Sequence, residues 1–399
     1  MIERTDVRAA FAMLLLTCAC SAPRDTDDPN RPPPSQGTAG KKTADSGGSS
    51  AGFGADPATG GAASESAGQG GAAAEPGKLG MAGSSSGAAG APAMPPSGSC
   101  DFPHDELVDV SDAAGLVRAL GSASAGTMIR LPDAELRGAF KATAVGSAAQ
   151  PIVLCGSRAA ILRSNATSTV LSLEGDYWVL SGFSVTGGQK GVLLDGAQHN
   201  LLSSLAVHGT GNEGVHFRIS SSDNVLEWSE IFDTGNVDAE FGEGVYIGSA
   251  ISQWQKFTGD PSKPDASDRN VIRNNKLGPN VRAELIDVKE GTSGGVIQDN
   301  SFDGAGIAAG GFADSWMDVK GNGYSVLGNQ GVNAAADGFQ VHVIQSGWGN
   351  ANRFQKNRAN VNASGYGFRI SDSAKGTVVG CDNVVNGAGA GLSNIGCKN

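Results

Sequence analysis

Glu213-Gly-Val-His-Phe-Arg218, Glu243-Gly-Val-Tyr-Ile-Gly248, Glu284-Leu-Ile-Asp-Val-Lys289, Ser315-Trp-Met-Asp-Val-Lys320 and Asp337-Gly-Phe-Gln-Val-His342 are copies of one short strand. Lys190-Gly-Val-Leu-Leu-Asp195 precedes them and Tyr366-Gly-Phe-Arg-Ile-Ser371 follows. The third and fifth residues are apolar in every copy, and the fourth and sixth are mostly polar. A period of two with one face always apolar describes a strand with that face buried. The copies begin 22 (315 to 337) to 41 (243 to 284) residues apart. That is too long for a hairpin and too short for a strand–helix–strand crossover, so stacked coils of a solenoid are the economical arrangement.

A second register agrees. Asn275, Asn300, Asn329, Asn357 and Asn383 each follow a short apolar strand such as Val271-Ile272 or Val378-Val379. Amides stacked from coil to coil would satisfy polar groups along an inward bend. Upstream, Ala114 to Leu120 reads as a short amphipathic helix suited to capping the open end of the core, before the strands Gly126–Leu131 and Pro151–Leu154. The expected fold is an all-β, right-handed parallel β-helix over residues 100–399, with an N-terminal capping helix and a disordered linker before it.

The rest of the chain is of a different kind. Residues 1–20 join an arginine-containing start to the apolar run Ala9–Leu16 and end on Cys18 and Cys20. This is too short to span a bilayer, which takes about 20 apolar residues, and reads as a signal peptide of the lipoprotein type. Cys20, preceded by the small Ala19, is the better lipidation site than Cys18; ordinary cleavage to a secreted product is the alternative. Residues 21–99 are dominated by Gly, Ala, Ser and Pro and read as a flexible tether. An exported location follows, lipid-anchored at the outer membrane or cell surface, with no other membrane contact. Cys100, Cys155, Cys381 and Cys397 remain for the folded part, and two disulfides, Cys100–Cys155 and Cys381–Cys397, are expected at its two ends. The formal net charge of −11 argues against nucleic acid but allows a local basic groove. A monomer is expected.

With these coils in place the chain resembles the pectate-lyase-like β-helix superfamily, and most closely polysaccharide lyase family 6, the alginate lyase and chondroitinase B group. The specific likeness is Glu284-Leu-Ile-Asp-Val-Lys289. By this resemblance Glu284 would bind calcium and Lys289 would be the Brønsted base. The family's arginine on the next coil is Lys320 here, and the carboxylate two residues before the Glu is Arg282.

Residues alternating with the buried pair form two outward rows. One holds His216, Tyr246, Asp287, Asp318, Gln340 and Arg369; the other holds Arg218, Gly248, Lys289, Lys320, His342 and Ser371. Trp316 is expected on the same face. Coils about 4.8 Å apart would stack Lys289 on Lys320, and like charges that close depress the pKa of one of them, as a base requires. The cations suit an acidic, uronate-containing polysaccharide cleaved by β-elimination, with Lys289 and Lys320 catalytic and the other members of the rows except Gly248 and Ser371, with Trp316, binding substrate. Glu243 and Glu284 head successive coils, so an oxygen-rich calcium site is expected there. Two alternatives stand beside this reading. One is a glycoside hydrolase using Asp287 and Asp318, although the adjacent lysines would hold both ionised. The other is a non-catalytic, carbohydrate-binding or adhesive β-helix. Residues 249–268, with Trp254 and Lys256, are expected to overhang the groove.

Overall fold

The computed structural model describes residues 100–308 and 313–399. The signal segment, Cys20 and the stretch 21–99 lie outside the described residues. The strands form three parallel sheets of eleven, ten and ten members. Apart from the first pair, Glu106–Asp109 and Thr127–Arg130, which follow one another directly, neighbouring strands within each sheet are three apart in the chain, so the polypeptide visits the sheets in turn and one circuit makes one coil. No helix of the described residues is long and apolar enough to cross a membrane.

The alternation in the repeat sets the register of the third sheet. Val215 pairs with Val245, Ile286, Met317, Phe339 and Phe368 in succession. Phe217 pairs in the same way with Ile247, Val288, Val319, Val341 and Ile370. Both columns point into one hydrophobic core. Late in the solenoid the core becomes aromatic: Phe339 and Phe368 stack at 5.0 Å, and Trp316, Phe302 and Phe354 meet Phe339 edge to face.

The helix Ala113–Ser122 starts at Asp112, whose side chain accepts from the Gly115 N–H at 2.7 Å. It places Leu116, Ala119 and Leu120 in the same core. Cys100 is bonded to Cys155 and Cys381 to Cys397, the local pairing expected.

The asparagine column is continuous. Each member after Asn275 accepts from the backbone N–H and side-chain amide of the one before, as Asn329 does from Asn300 at 2.9 Å twice. Asn329 in turn donates to Ile297 O at 2.9 Å and to Asn357 at 3.1 Å. The residue before each of the first four asparagines takes a left-handed φ, at Asn274, Asp299, Gly328 and Lys356, and this makes the corner tight. A second column at Asn200, Asn224 and Asn270, not anticipated above, bonds in the same way at another corner. Asn329→Ala strands several buried backbone and amide groups at once. It is expected to cost about 3 kcal/mol in urea unfolding; a loss within experimental error would show that water replaces the column.

Candidate functional site

The outward rows form as the alternation requires. His216, Tyr246, Asp287, Asp318, Gln340 and Arg369 are in register across successive strands of the third sheet. Beyond the strand ends, Lys289 N bonds to Ile247 O, Lys320 N to Val288 O, and His342 N to Val319 O. The second row therefore keeps the same stacking. At the centre of the two rows the side chains point away from the core but are not free surface residues: Asp287 of the first row is 2 % exposed, and Lys289 and Lys320 of the second are each 8 % exposed.

Asp287 organises the centre. Its Oδ2 lies 2.9 Å from Lys289 Nζ and its Oδ1 2.7 Å from Lys320 Nζ. Lys320 also reaches Asp318 at 3.1 Å. This overturns one expectation from the sequence, that stacking would depress a lysine. Burial pulls both ammonium groups down, and Lys289 adds to this at Lys320, but the surrounding carboxylates, Asp287 foremost, together outweigh it, and each is held above the ordinary lysine range. The long side chains lean onto the carboxylate between them instead of facing each other. Burial alone would raise Asp287 and Asp318; Lys289 and Lys320 instead hold Asp287, and Lys320 and His342 hold Asp318, below the usual carboxylate range. A hydrolase using Asp287 and Asp318 would thus lack its acid.

A column of charged residues heads the coils on one side of this centre. Gly191 N bonds to Glu213 O, Gly214 N to Glu243 O, and Gly244 N to Glu284 O, so Lys190, Glu213, Glu243 and Glu284 follow one another. Lys190 sits at one end, 2.6 Å from Glu213. Despite burial, Lys190 and His216 bring Glu213 down to about 2. Glu243 is pushed well up by burial and by Glu213, Glu284 and Asp287 around it, and its Oε2 is buried without a hydrogen-bond partner. Glu284 is raised to about 8 by burial and then by Asp318 and Asp287. Oxygens of Glu243, Glu284 and Asp287 lie within 4.8 Å of one another. Three buried carboxylates, with one oxygen unpartnered, fit a hard cation such as calcium.

On the Glu213 side, His216 Nε2 donates to Gly248 O at 3.0 Å, and its ring meets Tyr246 edge-on at 4.6 Å. Lys289 Nζ stands 5.0 Å from the Tyr246 ring centre. At the other end, Gln340 donates to Asp314 at 2.7 Å and Asp337 at 2.8 Å. His342 Nε2 lies 2.5 Å from Gln340 Oε1 and 3.5 Å from Asp318, and Arg369 reaches Asp337 at 3.7 Å. Arg218 is held by Asp195 through Nε at 3.0 Å and Nη2 at 3.2 Å.

Trp316 does not belong to this face. It is fully buried, donates to Val332 O at 3.0 Å, and packs on Phe339. It sits at the corner where the second sheet meets the third, and Gly304, Gly331 and Gly338 leave the space its indole fills. Glu213 and Lys190, by contrast, escaped the sequence reading. Their signal was present, since both head coils as Glu243 and Glu284 do.

No protein-family model matches the chain, and no curated protein matches it. Among solved structures, the alginate lyase from Paenibacillus sp. str. FPU-7 superposes with a TM-score of 0.68 at 34 % identity, over 72 % of this chain and 98 % of that one. A variant of the family 6 alginate lyase AlyGC superposes with a TM-score of 0.53 at 15 % identity, over 72 % of this chain and 40 % of that one. The second likeness is one of fold.

Proposed function

This chain belongs to the family of the Paenibacillus alginate lyase, a family of β-helix polysaccharide lyases, and from that premise we propose that it cleaves an alginate-like uronate polysaccharide by β-elimination. It would act outside the cytoplasm, tethered through Cys20. The observation that carries the reading is the pair of buried ammonium groups, Lys289 and Lys320, held charged on Asp287 beside Tyr246.

The reaction removes the proton next to the uronate carboxylate, forms the C4–C5 double bond, breaks the C4–O bond and returns a proton to the leaving oxygen. Cations on the carboxylate make the first proton more acidic. Lys320 suits that role. Lys289 and Tyr246 are two neighbouring proton carriers, and a pair that has given up one proton has one acceptor and one donor. Asp287 favours the proton on Lys289, so we assign Tyr246 as the acceptor and Lys289 as the donor to the leaving oxygen. This reverses the role that the family 6 resemblance implies for Lys289. His216, Gln340, His342, Arg218 and Arg369 would line the remaining path of the polymer.

Incubation with polymannuronate, polyguluronate and pectate, followed at the absorbance of unsaturated uronate, tests the reading. Unsaturated product is expected, and Tyr246→Phe should abolish it. New reducing ends without unsaturation would mean a hydrolase, and binding without either product a binding module.

Glu243 and Glu284, with Asp287, would hold calcium, whose charge would offset the three carboxylates. Glu284, raised to about 8, must lose its proton to serve as a ligand. Calcium affinity is therefore expected to climb from about pH 6 to about pH 9, with proton release visible by calorimetry in buffers of different ionisation heat. Flat affinity without proton release would remove calcium from this site.

A further inference from the structure

We infer that residues 249–268 build a second carboxylate-binding subsite, in which Phe257 and Asp195 fix the Arg218 guanidinium for a uronate distant from the bond being broken. The choice of ligand rests on the reading above; the geometry stands without it.

The insertion is fastened to two coils. Asp265, fully buried, accepts from Ile219 N at 2.9 Å, Ser220 N at 2.8 Å, Ser249 Oγ at 2.6 Å and Ser267 Oγ at 2.8 Å. Ile251 N donates to Glu290 Oε1 at 2.7 Å, on the residue after Lys289. Trp254 is buried, donates to Ser249 O at 3.0 Å, and lies against Gly291, where a side chain would collide with it. A buried carboxylate is costly unless fully bonded, so four bonds to Asp265 mark a segment held in one place.

What the wall holds in place is Phe257. The Arg218 guanidinium lies 4.6 Å from its ring centre and Lys256 Nζ 4.9 Å. Asp195 takes one edge of the guanidinium, so Arg218 is fixed by edge and by ring. An arginine fixed in this way gives up little entropy on meeting a planar carboxylate. Phe217, Ile247 and Val288 share a register, so Arg218 lies two coils from Lys289, roughly 10 Å away. A single sugar does not reach across that distance, so a longer uronate chain is needed to touch both.

The test measures affinity for a mannuronate hexamer and a mannuronate dimer by calorimetry, in a Lys289→Met background that prevents turnover. Phe257→Ala is expected to weaken the hexamer about tenfold, or 1.4 kcal/mol, and to leave the dimer unchanged. Should Phe257→Ala loosen the fold, Arg218→Lys keeps the charge but loses the planar fork, and the same length-dependent loss is expected. Equal losses for both lengths, or none for either, would overturn the subsite. Absence of unsaturated product from the unaltered chain would sink the lyase reading but leave this binding result standing.

Discussion

Lys289→Met is expected to lower the rate of unsaturated-product formation by about 10²- to 10⁴-fold while leaving the solenoid folded. The size follows from the role assigned: removing a positioned proton carrier forfeits a transfer in the transition state, and a methionine keeps most of the side-chain volume. Lys289 points away from the core, so no core cavity opens, and the loss should appear in kcat more than in KM. Lys289→Arg separates charge from proton transfer. Arginine preserves the cation over Tyr246 and the pairing with Asp287 but does not release a proton near neutrality. If Lys289→Arg keeps near-full rate, the group acts only as a charge and the donor must be sought elsewhere. Lys320→Met should instead raise KM, since that ammonium is assigned to the substrate carboxylate. A chain that keeps full rate after both changes would place the chemistry away from this centre.

How far the sequence carried this picture depends on the range of the interaction. The period of two in Val245–Ile247 or Ile286–Val288 fixed which residues leave the core, and the register followed from it. The asparagine column was legible for the same reason, because one residue type recurs at one point of each coil. Trp316 broke the pattern. It occupies an outward position by alternation, but whether it turns inward depends on glycines at 304, 331 and 338, which reach it only through the fold. The lysines failed differently. Asp287 and Lys289 are visible as neighbours, but whether Lys320 faces Lys289 or leans onto Asp287 is settled by a few ångströms of side-chain direction. The fastening of residues 249–268 through Asp265 was likewise out of reach, because its partners, Ile219 and Ser220, are backbone donors that any residue provides.

Asp287→Asn is expected to give the largest loss of stability of any single change at the site. It leaves two ammonium groups, each 8 % exposed, without their shared counter-ion, and breaking a buried pair in this way costs about 3 to 5 kcal/mol. The sign of the pH dependence follows from the direction of the shift. Asp287 is held below its ordinary value of 3.8, so its contribution is present above that value and is lost as pH falls through the folded-state value. The lysines are held above 10.5, so their share is complete below that value and does not change across the acid range. Urea unfolding should therefore show a gap between the native chain and Asp287→Asn that is constant near neutrality and closes on acidification below about pH 4. The double change Asp287→Leu with Lys320→Met should recover part of the loss, because it leaves one buried ammonium, Lys289, without its counter-ion instead of two. A gap that stays open in acid, or a double variant no more stable than Asp287→Asn, would mean that Asp287 acts through packing and not as the counter-ion of the two lysines.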